Sequence, residues 1–461
     1  MAGCKTKTIC FTNNKGGSGK STTCANLAFE LTSAGKKVLL IDGDMQLNLS
    51  LSFFDEERVL EMAECEENLY YAIKNKRDLS GYIVHTPYEN LDLIPSSTLM
   101  SQIEYELFTM IQREYVLKKC LRSIYEKELY DYVLNIARKW VSEPYCVDGW
   151  RLDVAADLGH SNEFNHQFWK DFRKAVKEAN PNALILAEHY GNPEGWLQGD
   201  EWDSVMNYDA FMEPVTWFLT GMEKHSDEYR EDLYGNSEAF IGAMKTHMRS
   251  LHMSALHVAM NELSNHDHSR FLTRTNRRVG RVSYAGAEAA SENINTAIMR
   301  EAIAIQMTWP GAPTVYYGDE AGVCGFTDPD NRRTYPWGHE DKELLSFYKK
   351  MIAIHKKYRI LRTGSLKFLW NDYQGLCYGR FSHIEQMIVV LNNRDEGREV
   401  TIKVWPAGIT RMEEVSMTRL IRSSQDGYND RPKEIRARAG MVNLYLPPRS
   451  VTLLYHKDKI S

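Results

Sequence analysis

The sequence lacks three features that would each point to a particular class of protein. None of its eight cysteines lies in a CxxC pair, which argues against a disulfide framework or a zinc ribbon and favours reduced thiols. No apolar run is long enough to span a bilayer, and the N-terminus has no apolar core of a secretory signal. The formal net charge is -6, so nucleic acid is not an expected partner. We therefore expect a soluble cytoplasmic protein without a membrane partner.

A glycine-rich segment near the N-terminus is typical of a phosphate-binding loop. Residues 6–12 are apolar enough for a short strand, the segment NNKGGSGKSTT occupies residues 13–23, and a helical pattern follows. Glycines leave the backbone bare, so successive N–H groups can approach phosphate oxygens at the helix N-terminus. Lys20 is predicted to neutralise phosphate charge, and the Ser21 hydroxyl to bind Mg²⁺.

A second predicted strand ends in acidic residues. The helical pattern stops at Gly35, and VLLI at residues 38–41 is the continuous apolar run of a parallel strand. Asp42 and Asp44 follow at its C-terminal end, where doubly wound sheets bind their ligands. Both carboxylates are thus available to Mg²⁺ and to an attacking water. The order of elements predicts a partial doubly wound P-loop domain of the α/β class.

The segments KGGSGKSTT and VLLIDGDMQLNLS resemble the ParA, MinD and Soj family of deviant P-loop ATPases. The resemblance implies ATP and Mg²⁺ as ligands, a first lysine that reaches a nucleotide across a dimer, and a role for Asp44 in hydrolysis. The residues assigned to the nucleotide are Lys15, Gly16, Gly17, Gly19, Lys20, Ser21, Thr22, Asp42 and Asp44.

The ATPase pattern stops close to residue 134. The family continues with a strand that resembles YDYIIID, and YDYVL at residues 130–134 begins in the same way. The terminal acid is missing, and apolar residues at positions 129, 133, 136, 137 and 140 have the spacing of a helix. We therefore expect a truncated ATPase portion over residues 1–124.

Beyond this helix, short apolar strands alternate with amphipathic helices. This alternation favours parallel strands joined by helical crossovers. Phe164, Phe168, Phe172 and Val176 recur every fourth residue, which predicts one buried helix face that ends before Pro181. The strand candidates are centred on residues 147–154, 183–189, 204–208, 256–263 and 313–317.

Four ordered motifs in this region resemble those of the alpha-amylase superfamily, glycoside hydrolase family 13. The motifs are DGWRLDVA at residues 148–155, LILAE at 184–188, LSNHD at 263–267 and GAPTVYYGDE at 311–320. The resemblance implies a retaining hydrolase of starch-like α-glucans or malto-oligosaccharides that needs no cofactor. The segment DPDNRR at 328–333 favours the neopullulanase and cyclomaltodextrinase branch.

The residue types in these motifs fit retaining glycoside hydrolysis. Such enzymes need two carboxyl groups about 5 to 5.5 Å apart, which the strand ends of a barrel can supply. Asp153 is the predicted nucleophile, because Arg151 lies two residues earlier on the same strand face and keeps it ionised. Glu188 is the predicted acid/base. The resemblance implies Asp267 as a transition-state stabiliser, and Arg151 and His266 as substrate-binding groups.

The same resemblance defines the remaining domains. Residues 125–362 are expected to form strands 4 to 8 of a (β/α)8 barrel, since nothing in the sequence matches the first three strands. From residue 363 onward, apolar and polar residues alternate, for example at 387–391, 400–404 and 442–446. This alternation predicts an all-β C-terminal sandwich over residues 363–461.

Two groups of side chains near the motifs have alternative interpretations. Four aromatic residues are candidates for stacking on sugar rings, although core packing is the commoner role of each one. Five arginines suggest a nucleic-acid site, but the acidic total favours a solvated loop. The aromatic residues are Tyr190, Trp196, Trp202 and Trp217, and the arginines are Arg270, Arg274, Arg277, Arg278 and Arg281.

Three functional hypotheses follow from the sequence. The first is an α-glucan hydrolase whose catalytic carboxylates are present but whose incomplete barrel impairs its activity. The second is a partition-type ATPase fragment that carries a passenger hydrolase segment. The third is a fusion in which nucleotide state regulates sugar chemistry, and it ranks last because regulation requires two competent sites.

Overall fold

The computed structural model describes residues 7–12, 19–108, 116–159, 161–409 and 414–458. Its contacts divide the chain into two compact units, Met1–Lys139 and Trp140–Ser461. This boundary and the predicted one after residue 124 both fall within one long helix, α6 (Arg122–Val141). The helix confirms that residues 129–140 are helical and do not form the next strand of the ATPase pattern.

The first unit contains a small mixed sheet. Its strands are β1 (Val38–Ile41), β2 (Val84–His85) and β3 (Leu91–Ile94), in the order β1-β3-β2. As predicted, β1 is parallel to its neighbour β3, whereas β2 is antiparallel to β3. The strand predicted for residues 6–12 is wrong over the described residues 7–12, which form no strand and are largely exposed.

The helices of the first unit begin and end at recognisable signals. Helix α1 starts at Lys20 directly after Gly19, and Gly35 follows its end with a φ of 74°, a conformation that favours glycine. The side chains of Asp55 and Asn68 cap the next two helices. The helices are α1 (Lys20–Ser33), α2 (Glu56–Glu64), α3 (Leu69–Lys74), α4 (Ile103–Phe108) and α5 (Val116–Cys120), followed by α6.

The second unit begins with five short parallel strands in chain order. They are β4 (Gly149–Leu152), β5 (Leu184–Ala187), β6 (Ser204–Val205), β7 (Met260–Glu262) and β8 (Ala312–Thr314). Strands β4, β5 and β6 pair in that order, β7 pairs with β8, and a bridge from Met206 to Met260 connects the two groups. Among the described strands, β4 and β8 each have one unpaired edge, and both are only partly buried. The predicted strand positions are confirmed, although each strand is shorter than expected.

Helices follow these strands along the chain. In α7, Ser161 caps the first turn, Phe168, Phe172 and Val176 are buried as predicted, and the helix ends before Pro181. Residues 253–258, which the sequence places partly in a strand, are helical. The helices are α7 (Asn162–Ala179), α8 (Glu213–Thr220), α9 (Ser237–Met248), α10 (Met253–Val258), α11 (Phe271–Arg274), α12 (Val282–Ala285), α13 (Thr296–Thr308), α14 (Lys342–Lys357) and α15 (Ile360–Thr363). None of the described helices is long and apolar enough to cross a bilayer.

The C-terminal region is an antiparallel sheet, as the alternating pattern predicts. Its path runs β12-β16-β15-β13-β17-β11-β10-β9, with β14 paired to β13. One face of the sheet packs on α13 and α14 through residues such as Leu453 and Val389, which are fully buried. The strands are β9 (Ser365–Asp372), β10 (Gly375–Phe381), β11 (Glu385–Asn392), β12 (Arg398–Lys403), β13 (Glu414–Ser424), β14 (Gly427–Asn429), β15 (Lys433–Arg438), β16 (Met441–Leu446) and β17 (Ser450–Lys457).

Two arginines of the predicted solvated loop are instead fully buried. Arg270 Nη1 lies 3.0 Å from Asp319 Oδ1, and the guanidinium lies 4.0 Å from the centre of the Tyr316 ring. Arg274 donates to Thr216 Oγ1 at 2.5 Å and to the Leu263 carbonyl. The prediction is wrong because the partners of both guanidinium groups come from segments distant in sequence, which the net charge does not reveal.

We expect Arg270→Met to destabilise the second unit by about 3 to 5 kcal/mol, because it leaves the buried Asp319 carboxylate without its cation. All ten tryptophans lie at residue 140 or beyond, so urea unfolding followed by tryptophan fluorescence reports on this unit alone. Arg278→Met is the control, since its ion pair with Glu292 is exposed and contributes less than about 1 kcal/mol. If the two variants lost the same free energy of unfolding, the assignment of Arg270 as the buried partner of Asp319 would be wrong.

Candidate active site

Asp153 and Glu188 follow directly from two neighbouring parallel strands. Leu152 at the end of β4 is in register with Ala187 at the end of β5, so the next residue of each strand emerges at the same edge. The Glu188 amide donates to the Leu152 carbonyl at 2.8 Å and extends the pairing by one step. The parallel register therefore places the two predicted catalytic carboxyls side by side.

One guanidinium contacts both of these carboxyls. Arg151 donates from Nη1 to Asp153 Oδ1, and its Nη2 lies 3.1 Å from Glu188 Oε2. The same Glu188 oxygen accepts a 3.1 Å hydrogen bond from the Val154 amide. Val154 has a φ of 43°, an unusual value for a β-branched residue and typical of a strained functional site. Glu188 is thus held by a charge and by a backbone amide.

The two carboxyls have different environments. The Asp153 side chain is 74% exposed and that of Glu188 is 10% exposed. The hydrogen bond from Arg151 and then a hydrogen bond with Glu188 lower the pKa of Asp153, and the charge of His266 makes a smaller contribution. Asp153 therefore stays ionised at acidic pH, and His266 lies close enough to influence it.

Asp267 and His266 lie on a turn after β7. His266 Nε2 is 3.4 Å from Asp267 Oδ1, and the Asp267 amide donates to Asn265 Oδ1 at 3.0 Å. The Asp267 carbonyl accepts a hydrogen bond from the Thr327 hydroxyl. The negative charges of Glu188 and Asp267 both act on the Tyr190 hydroxyl, although burial is the main cause that raises its pKa to about 12. The structure thus brings all five predicted site residues to one edge of the parallel strands.

The four candidate aromatic residues differ in accessibility. Trp202 is almost fully buried and stacks on Trp196 with ring centres 4.9 Å apart, which assigns Trp202 to the core. Tyr190 is 43% exposed, stacks on Tyr208 at 4.3 Å, and carries Lys224 Nζ 4.5 Å from its ring centre. Of these residues, Tyr190 is the one that lies beside the carboxyls and presents an open surface.

The sequence prediction overlooked two polar residues beneath this edge. Glu262, the last residue of β7, is 2% exposed and accepts a 2.7 Å hydrogen bond from Asn265 Nδ2. Burial, opposed by this hydrogen bond and by Arg151, raises the pKa of Glu262 to about 8. A single acid in an apolar strand has no sequence signature, and nothing in the sequence connects it to Asn265.

The nucleotide-site residues lie in the first unit. Lys15, Gly16 and Gly17 fall outside the described residues. Gly19, the residue before α1, has a φ of 79° and no side chain that could cap the helix, whose first residues are Lys20, Ser21 and Thr22. The first backbone amides of a helix favour an anion at its N-terminus.

Asp42 lies at the end of β1 near this helix. Burial and then the charge of Asp42 raise the pKa of the Cys24 thiol in α1. Asp42 itself is buried and accepts from the Ser50 amide at 2.8 Å and from the Ser50 hydroxyl at 2.6 Å. Asp44 is more accessible than Asp42. Over the residues that the structure describes, no three His, Cys, Asp or Glu side chains form a metal-binding group.

Two family models match the chain. An AAA domain model matches residues 6–136, and the model of the alpha amylase catalytic domain matches residues 114–337. The chain is therefore similar to an AAA domain in its N-terminal part and to the alpha-amylase catalytic domain in the part that follows. The two matches overlap at residues 114–136, close to the boundary between the two compact units.

Several enzymes named for their action on glucans are similar to this chain. Neopullulanase 2 of Thermoactinomyces vulgaris is 36% identical over 61% of this chain and 42% of its own length. Cyclomaltodextrinase of Thermoanaerobacter pseudethanolicus is 35% identical over 58% of this chain and 40% of its own length. A solved Nostoc punctiforme debranching enzyme superimposes with a TM-score of 0.55 and 25% identity, over 71% of this chain and 61% of that one.

The alpha-amylase-like fold of the second unit is thereby confirmed. The chain spans about two fifths of the length of the two curated relatives.

Proposed function

We propose that the second unit is a retaining glycoside hydrolase for α-glucosidic bonds in starch-like chains or malto-oligosaccharides. The observation that carries the proposal is that the Asp153 and Glu188 carboxyls share the Arg151 guanidinium, Nη1 of which donates to Asp153 while Nη2 lies 3.1 Å from Glu188. Inverting enzymes keep their carboxyls about 6.5 to 9.5 Å apart to admit a water, so two carboxyls that bind one guanidinium favour retention. The names of the similar proteins support α-glucans as the substrate class.

The roles in this proposal follow from the environment of each group. Asp153 is exposed and kept ionised by Arg151, as a nucleophile that attacks the anomeric carbon must be. Glu188 is buried and held by the Val154 amide, so it can serve the leaving oxygen without moving. Asp267 and His266 lie close enough to bind sugar hydroxyls, and Tyr190 offers a ring for stacking.

The five parallel strands described in the second unit are fewer than the eight of a closed barrel, which supports a low hydrolase activity. We assign the five parallel strands of the second unit to positions 4 to 8 of an eight-stranded barrel, followed by a C-terminal β-sandwich domain. Strand β4, which carries Arg151 and directly precedes Asp153, is an outer strand of the described array. The nucleophile thus depends on a strand that is supported from one side, and imprecise placement of a reacting group lowers the rate steeply.

We expect weak release of reducing ends from starch, pullulan and cyclodextrin, which Asp153→Asn lowers by more than about 1,000-fold because the nucleophile is lost. Asp148→Asn is the matched control, since it makes the same chemical change just before the opposite end of β4, at an exposed residue. Turnover that survives in Asp153→Asn would disprove the assigned nucleophile. A wild-type kcat in the usual enzyme range of about 1 to 1,000 per second would show that the incomplete strand array does not impair hydrolysis.

The pH profile tests the role of Arg151. In the wild type, kcat/KM should fall only when the pH drops through the lowered pKa of Asp153, because the ionised form is the nucleophile. Arg151→Met removes the main cause of that lowering, so the acid limb should move to higher pH. Arg230→Met is the control, because Arg230 pairs with the exposed Asp232. An unmoved acid limb in Arg151→Met would show that Asp153 does not govern it.

We also propose that the first unit binds ATP with Mg²⁺. The AAA domain match, the uncapped N-terminus of α1 and the position of Asp42 beside that helix support this assignment. Lys20 and the first amides of α1 would hold phosphate oxygens, and Ser21 with the more accessible Asp44 would face the metal ion. Bound Mg²⁺ would supply charge neutralisation for the phosphates.

We expect Lys20→Ala to weaken the binding of a fluorescent ATP analogue by at least about tenfold, because a charge-assisted contact to phosphate is lost. Fluorescence anisotropy in the presence of Mg²⁺ measures this affinity. Lys36→Ala is the control, since Lys36 is exposed beyond the other end of α1. Equal affinities of the two variants would disprove the predicted site.

A further inference from the structure

Glu262 occupies a buried position directly beneath the turn that carries His266 and Asp267. Its side chain ends β7 and accepts a hydrogen bond of 2.7 Å from Asn265 Nδ2. Burial raises the pKa of this carboxyl to about 8, which favours the neutral acid, and in either protonation state the group offers an acceptor oxygen. A buried acid of this kind requires a fixed partner, and Asn265 provides it.

The Asn265 amide connects Glu262 to the backbone of the turn. Its Oδ1 accepts from the amides of Asp267 and His268, each at 3.0 Å. Its Nδ2 also contacts the Tyr208 hydroxyl at 3.3 Å. An amide side chain has one acceptor end and one donor end, so Oδ1 faces the two backbone N–H groups only while Nδ2 faces an acceptor. Glu262 supplies the nearer of the two acceptors, at 2.7 Å against 3.3 Å for the Tyr208 hydroxyl, and thereby favours this orientation of the amide.

The other side of the turn is held independently. The Asp267 carbonyl accepts from the Thr327 hydroxyl and from the Asp328 amide, the latter at 3.4 Å. Asn331 Nδ2 donates to the Asn265 carbonyl at 3.1 Å. The amide of Asp267 thus depends on Asn265, whereas its carbonyl depends on the segment after β8. Removal of the Glu262 acceptor would loosen the hold of Asn265 on the Asp267 amide. The hydrogen bonds to the Asp267 carbonyl would stay in place.

We propose that Glu262 is a positioning residue of the carbohydrate site. It acts through the Asn265 amide, which orients the turn that presents His266 and Asp267 to the Asp153–Glu188 pair. This inference rests on the proposed glucan hydrolysis, and it adds a residue that touches neither substrate nor reacting atoms.

Two variants separate this role from general stability. Glu262→Gln keeps a neutral group with an acceptor oxygen, whereas Glu262→Leu has nearly the same size and no acceptor. Glu301→Leu is the matched control, because Glu301 is also fully buried but lies on α13. Tryptophan fluorescence first establishes that each variant is folded.

The hydrogen-exchange rates of the backbone amides in residues 264–269 measure directly how firmly the turn is held. In Glu262→Leu we expect the Asp267 and His268 amides to exchange about tenfold faster, since one net hydrogen bond is lost at each. We expect kcat on cyclodextrin to fall by about 100-fold with a smaller change in KM, because the turn is displaced from the reacting centre. Glu262→Gln should stay within about threefold of the wild type in both measurements, and Glu301→Leu should leave the exchange of this peptide unchanged.

Three results would overturn the inference: unchanged exchange in Glu262→Leu, faster exchange without a fall in kcat, or a glutamine variant that behaves like the leucine variant. If the wild type hydrolyses no glucan, the proposed function fails. In that case the exchange rates alone still decide whether Glu262 orients the turn.

Discussion

The Arg151 guanidinium is the interaction on which the candidate site depends. Two carboxyls in contact repel each other when both are ionised, and a cation between them removes that cost. Arg151 contacts both, and it can do so because β4 and β5 are parallel and in a register that places Asp153 beside Glu188. A shift of that register by one residue would turn one of the two carboxyls to the opposite face.

A layer of hydrogen-bonded polar groups supports the strand ends from inside the second unit. Asn207 donates to Asn261 Oδ1 at 2.7 Å, and Asn261 donates to the Pro310 carbonyl at 2.9 Å. Gly311, with a φ of 132°, packs against the Asn261 amide so closely that a Cβ there would lie 2.4 Å from it. Buried polar groups that satisfy one another favour a single arrangement, so this layer fixes the strands from which the turns of the site emerge.

The sequence predicted those parts of the structure that depend on local pattern. The period of α7 and the positions of β4 and β5 follow from the spacing of apolar residues, and the resemblance of the motifs on these strands to glycoside hydrolase family 13 singles out Asp153 and Glu188. The errors concern partners distant in sequence. Arg270 is buried because Asp319, 49 residues away, neutralises it. The importance of Glu262 depends likewise on the folded turn, because an isolated acid in a strand carries no sign of its partner.

The two carboxyls of the pair differ in support as well as in exposure. Glu188 extends β5, which has β4 on one side and β6 on the other, and its side chain is buried. Asp153 extends β4, which pairs with β5 alone among the described strands. In a closed barrel every strand has two neighbours, so each catalytic group is held from both sides. Here Glu188, the proposed acid/base, is held in this way, whereas Asp153, the proposed nucleophile, relies on Arg151. That guanidinium is therefore both the electrostatic and the structural support of Asp153.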